Sequence, residues 1–188
     1  MKNFVSESSG YSLEGSMTHD LTVSKMWLIS ELEKIRTNFS TAYILGSWYS
    51  NTSLYIKLAS DLKINKIVNV ETNKDFLTAG KQLHQLANVS DGVYFMLKDS
   101  NRLDYRQIGK NGLIINTSLT DMKGADWFKN IPKGTVVALQ ARDHDPNIQY
   151  SSPKDIMRRF PLTVLYSGTK QLEDPESMYN RFMVIGIK

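Results

Sequence analysis

From residue 41 onward, short apolar runs alternate with stretches of helical periodicity, and this rhythm narrows the possible folds more than any other property of the sequence. Ala42-Tyr43-Ile44-Leu45, Lys66-Ile67-Val68-Asn69-Val70, Val93-Tyr94-Phe95-Met96-Leu97, Gly112-Leu113-Ile114-Ile115-Asn116 and Thr135-Val136-Val137-Ala138-Leu139 are near-continuous in apolar character. Such runs suit strands covered on both faces, as in a parallel sheet with helical crossovers. Between them, residues 52–62 carry Leu54, Leu58 and Leu62 at helical spacing. Residues 74–87 do the same with Phe76, Leu77, Leu83 and Leu86, and Asn73 stands where a helix cap belongs. Right-handed crossovers leave few topologies open.

The C-terminus departs from the rhythm. Leu162-Thr163-Val164-Leu165-Tyr166 and Arg181-Phe182-Met183-Val184-Ile185 read as strands joined by a polar, turn-rich segment without a helix, which predicts an antiparallel pair. The expected architecture is α/β: a Rossmann-like, seven-stranded, mostly parallel sheet with that C-terminal pair. It occupies residues 40–188, and residues 1–39 form a flexible lead-in followed by an N-terminal lid helix from Thr18 or Asp20 to about Arg36.

A chain of 188 residues can bury one sizeable core without a covalent staple. The absence of cysteine excludes disulfides, thiolate metal sites and cysteine nucleophiles. No apolar window has the length of a membrane span and the N-terminus has no signal core, so the reading is a soluble, cytoplasmic protein with no membrane partner. The net charge of +4 lies wholly in the second half of the chain. That is compatible with an anionic partner, but without a run of Lys and Arg a nucleic acid is possible and not indicated.

In an open parallel sheet, ligands settle where strands end at their carboxyl termini. Gly46-Ser47-Trp48 follows the first strand, and the glycine permits a tight turn beside a ligand. Glu71 follows the second, where a carboxylate can accept from vicinal ribose hydroxyls; it could equally cap the helix beginning nearby. Asp99-Ser100 follows the third, suited either to an adenine amine or to a turn closed on its own backbone. Asn116 ends the fourth, in a small polar set suited to orienting a substrate. Together the strand ends suggest a nucleoside-like ligand.

The pattern over residues 40–188 resembles the class I S-adenosylmethionine-dependent methyltransferases, with small bacteriophage members as the nearest likeness. IVNVETN is similar to the family's second-strand motif, whose acid falls on Glu71. YFMLKDSNRLDY is similar to its adenine-contacting segment, which falls on Asp99 and Ser100, and IPKGTVVALQ resembles the turn into strand five. The resemblance implies S-adenosylmethionine as cofactor, held by Gly46, Ser47, Trp48, Glu71, Asp99 and Ser100, and an unidentified methyl acceptor near Asn116. Motif I diverges. The family's acid two residues before the first glycine is Ile44 here, and its later glycines are Trp48 and Ser50. Two aromatics, Trp48 and Tyr49, could attract a sulfonium or pack against the N-terminal helix. Candidate bases are His19, beside Asp20, and His144, in the loop after strand five; His84 has no evident partner.

The Asn-Pro-Pro-Tyr tetrad of base-amino methylating enzymes is absent after Asn116, which disfavours that acceptor class. Two alternatives stand beside methyl transfer. One is an inactive binding or assembly protein that kept the fold. The other is a nicotinamide-dependent reductase, disfavoured by the missing glycine-rich fingerprint.

Overall fold

Seven strands form one sheet in the order β3-β2-β1-β4-β5-β7-β6. In chain order these are β1 (Asn38–Leu45), β2 (Lys63–Glu71), β3 (Val93–Leu97), β4 (Gly112–Asn116), β5 (Val136–Arg142), β6 (Thr163–Glu173) and β7 (Met178–Ile187). β1 to β5 pair in parallel, and β7 inserts antiparallel between β5 and β6. The expected mostly parallel sheet with an antiparallel terminal pair is therefore the one observed. The computed structural model describes residues 12–122, 124–143, 150–174 and 177–188.

Helices α1 (His19–Ile35), α2 (Asn51–Ala59) and α3 (Lys74–Leu86) precede β1, β2 and β3, while α4 (Asp126–Lys129) and α5 (Pro153–Arg159) follow β4 and β5. Alternation along each strand sends its side chains to two cores. Ala42 and Ile44 of β1 join Leu28, Ile29 and Leu32 of α1 and Ile56 of α2. Tyr43 and Leu45 join Trp127 and Phe128 of α4 with Ile156 of α5. Both faces of the central strands are thus apolar, which is why they read as continuous runs. α1 contributes Leu28 and Leu32, both fully buried, so it is a wall of the core.

Asn73 caps α3 as its position implies, its side chain accepting from the backbone N–H groups of Asp75 and Phe76. The terminal hairpin is longer than its sequence suggests: most of the polar segment after Tyr166 is strand. β6 is an edge strand with alternate residues exposed, so pairing with β7 sustains it without an apolar run. Among the described residues, no helix is long and apolar enough to cross a membrane.

Candidate functional site

β1 and β4 are neighbours, yet the chain leaves β1 toward one face and β4 toward the other. That divergence is the switch point at which open α/β sheets bind ligands. The loop after β1 has an unusual backbone. Gly46, Trp48 and Ser50 all lie in the left-handed region, at φ 59°, 50° and 60°. For Trp and Ser this conformation is strained, and it persists only where the surroundings enforce it.

Glu71 supplies much of that enforcement. Its Oε2 accepts from Trp48 N–H at 2.8 Å, while Oε1 accepts from Thr72 N–H at 2.8 Å, Thr72 Oγ1 at 3.3 Å and Asn73 N–H at 3.1 Å. The acid at the end of β2 therefore clasps the loop after β1. α3 presses from behind: a Cβ on Gly80 would lie 2.8 Å from Ser50 Oγ and 2.9 Å from the Tyr49 carbonyl oxygen, so only glycine fits. The Trp48, Tyr49 and Phe76 rings form one aromatic cluster, with centroids 5.4 Å (Trp48–Tyr49), 6.3 Å (Trp48–Phe76) and 4.9 Å (Tyr49–Phe76) apart. These aromatics meet α3, a contact the sequence does not reveal.

Ser50 is fully buried and its hydroxyl has no hydrogen-bond partner among the described residues. Ser50→Gly is expected to stabilise the protein by about 1 kcal/mol, because it removes the left-handed strain and an unsatisfied polar group. Urea unfolding of the two proteins measures this, and a destabilised variant would show that the hydroxyl does unrecognised structural work.

Asp99 and Ser100 stand beside the end of β2, since Lys98 N–H donates to the Glu71 carbonyl at 2.9 Å. Asp99 takes its backbone-turn role: Oδ1 accepts from Asn101 N–H at 2.8 Å and Asn101 Nδ2 at 3.1 Å. Ser100 is buried and its carbonyl accepts from Tyr105 Oη. Asn116 is also buried, with Oδ1 accepting from Ser118 N–H at 3.0 Å and Nδ2 donating to Met122 Sδ at 3.1 Å. It shapes the loop after β4, which folds over Gly46: Ser118 Oγ donates to the Gly46 carbonyl at 3.2 Å. Of the two candidate bases, His19 lies among the described residues. His19 is exposed at the start of α1, whereas the neighbouring Asp20 turns inward to accept from Tyr179 Oη at 2.6 Å. His144 lies outside the described residues.

His84 does have partners, contrary to the sequence reading. It is fully buried, with Nε2 2.9 Å from Ser53 Oγ and Nδ1 2.8 Å from the Gly80 carbonyl, and burial holds its pKa below the ordinary histidine value. A neutral ring donating from Nδ1 joins α3 to α2. The sequence also gives no hint of a basic cluster under the start of α1. Lys25 is 9% exposed and Arg181 of β7 is 6% exposed. Burial first, then the charge of Arg181, pushes the Lys25 amine down to about 7, with Asp20 opposing.

Solved structures share this architecture. NodS, an N-methyltransferase of Bradyrhizobium japonicum in complex with S-adenosyl-L-homocysteine, superposes with a TM-score of 0.68 at 9% identity, covering 93% of this chain and 91% of that one. The magnesium protoporphyrin IX methyltransferase of Synechocystis with bound SAM gives 0.62 at 10% identity, over 89% and 82%. An rRNA methylase of Streptococcus thermophilus gives 0.58 at 12% identity, over 92% and 99%. This is the class I methyltransferase fold. No protein-family model matches the chain, and no curated protein matches it in sequence. The two acceptors that these names give, magnesium protoporphyrin IX and rRNA, are chemically unlike one another, so the methyltransferase fold says nothing of what is methylated.

The residues at the switch point fit an adenosine-bearing cofactor. Positions 46, 48 and 50, which the motif I resemblance sets against glycines, share a left-handed backbone. Glu71 Oε2 has a single donor and retains a lone pair for a hydroxyl. Ser47 Oγ, buried in the same loop, has no partner among the described residues. Ile44 is a core residue.

Proposed function

We propose that this chain is an S-adenosylmethionine-dependent methyltransferase. The observation that carries the reading is the clasp of Glu71 on a loop whose left-handed backbone follows the motif I pattern with Trp48 and Ser50 in place of glycines. When bound, the cofactor supplies a methyl group on a sulfonium, an electrophile that needs alignment more than activation. Gly46, Ser47 and Trp48 offer the loop backbone to it, Glu71 takes a ribose hydroxyl on Oε2, and Asp99 with Ser100 borders the adenine. Asn116 holds the loop after β4 beside the acceptor. That loop packs Ser118 and Met122 onto Gly46, the Cβ position of which lies 3.2 Å from Ser118 Cβ and 3.5 Å from Met122 Sδ. It therefore shields the transfer from water and must yield as the cofactor enters. Residues 40–188 constitute the catalytic domain, and the start of α1 roofs the acceptor side. His19 and His144 remain the side chains from which a base would come if the acceptor is a hydroxyl.

Calorimetric titration of the full chain with S-adenosylmethionine and with S-adenosylhomocysteine tests this. Saturable one-to-one binding of both is expected. No heat with either at millimolar ligand would refute the assignment and favour a protein that uses the fold only as a scaffold.

A further inference from the structure

We propose that Lys25 and Arg181, brought together beneath the start of α1, form a recognition site for an oxyanion (a carboxylate or phosphoryl group) carried by the methyl acceptor. The oxyanion site itself stands on the geometry below; its assignment to the acceptor rests on the methyltransferase reading.

The strands place Arg181 here. Arg142 of β5 pairs with Arg181 of β7, and Gln140 with Met183. Met183 faces the α1 core, so alternation turns Tyr179 and Arg181 to the same side. α1 is fixed against them at two points. Ser24 Oγ donates to Gln140 Oε1 at 3.2 Å while Gln140 Nε2 donates to the Ser24 carbonyl at 3.1 Å, and Tyr179 Oη donates to Asp20. Lys25, next to Ser24, is thereby held in the electrostatic reach of Arg181.

Both cations have more donors than partners. A lysine ammonium has three and an arginine guanidinium five. Lys25 Nζ makes one long contact, 3.4 Å to the Leu21 carbonyl. Arg181 donates from Nη2 to the Thr117 carbonyl at 2.6 Å, and its buried Nε has no partner. Neither belongs to an ion pair among the described residues. The charged and titratable groups around them are Asp20 on α1, Tyr179 on β7, Arg142 on β5 and Asp121 in the loop after β4. Of these, Asp20 already accepts the Tyr179 hydroxyl, and Asp121 is exposed. Two buried cations with spare donors and no ion-pair partner among the described residues have their strongest available compensation in an incoming anion.

Location selects the acceptor as its bearer. Arg181 reaches the carbonyl of Thr117, the residue after Asn116, on the acceptor side of the switch point. The adenosine residues lie on the other side of β1, at the ends of β2 and β3. An anion bound here also draws a proton onto Lys25, whose amine is easily neutralised when the site is empty of negative charge.

Calorimetry of the full chain with inorganic phosphate and with acetate, at about pH 8 in two buffers of different ionisation enthalpy, tests the site. Saturable binding of at least one anion with net proton uptake is expected. Affinity should fall at least about tenfold in Lys25→Met and in Arg181→Met, with proton uptake lost in Lys25→Met. Tighter phosphate assigns a phosphoryl group, and tighter acetate a carboxylate. No anion binding, or equal binding by parent and variants, overturns the inference and leaves the pair structural. Arg181→Met could lose its fold along with the Thr117 contact; Lys25→Met removes a buried charge and keeps the test decisive. S-adenosylhomocysteine is titrated in parallel: anion binding without it keeps the oxyanion site and removes the methyltransferase assignment, and the reverse result does the opposite.

Discussion

Lys25→Met is expected to be more stable than the parent at neutral pH, by about 3–5 kcal/mol. The amine falls from 10.5 to about 7 on folding. At about 1.4 kcal/mol for each tenfold loss of proton affinity, that depression costs the folded state about 5 kcal/mol at most. The sign follows from linkage. A folded-state value below the unfolded one means that folding expels a proton between the two. Above 10.5 the amine is neutral in both states and imposes no penalty. As pH falls toward 7 the unfolded chain gains a proton that the folded chain refuses, and parent stability declines. Below 7 the penalty is complete and constant. The advantage of the variant should thus be full below pH 7 and shrink toward pH 10, while tyrosines with raised values, such as Tyr179, affect both proteins alike. Methionine fills a similar volume and leaves no donor behind. Urea unfolding at four or five pH values decides it. A variant of unchanged stability, or one whose advantage does not vary with pH, would mean that Lys25 is well compensated in the free protein, which would also weaken the case for an anion there.

A lysine that destabilises its own fold is hard to foresee from sequence, and the reason is general. Lys25 reads as a polar position on the solvent side of an amphipathic helix, and Arg181 as the opening residue of an apolar strand. Only the antiparallel insertion of β7 beside β5 brings them together. Features written in local pattern were legible: the five parallel strands, the helix that Asn73 opens, and the switch to a terminal pair without a crossover. β6 was legible only in part, because an edge strand is sustained by pairing and needs no apolar run. The loop after β1 was legible in position and hidden in conformation. Trp48 and Ser50 are residue types that argue against a left-handed backbone, and what overrides their preference is a carboxylate on another strand and a glycine on another helix.

That dependence makes Glu71→Ala the second large effect expected, and it should appear before any ligand is added. The substitution strands the N–H groups of Trp48, Thr72 and Asn73. Thr72 is exposed and water can replace its acceptor; Trp48 is half-buried and held at φ 50°, so its loss is the costly one. Hydrogen bonds to a charged group contribute about 1.5–3 kcal/mol each, and with solvent rescue of the others the net loss should be about 2–4 kcal/mol. Glu71→Gln should fare little better: keeping its oxygen toward Thr72 and Asn73 turns an amide N–H toward the Trp48 N–H, donor against donor. Unfolding midpoints of the ligand-free proteins read this directly, and S-adenosylhomocysteine titration reads the consequence. If Glu71 served only to grip a ribose, both variants would unfold like the parent and differ from it solely in affinity. The structure shows the carboxylate holding the loop, and the proposed function adds a ribose contact through the same geometry. Weakened cofactor binding in these variants is therefore informative about ribose contact only to the extent that it exceeds what a loosened loop explains. Glu71→Asp, which keeps the charge and shortens the reach, separates the two. A loop restored in stability with affinity still lost would place a ligand hydroxyl on Oε2, and recovery of both would show that the acid acts through the backbone alone.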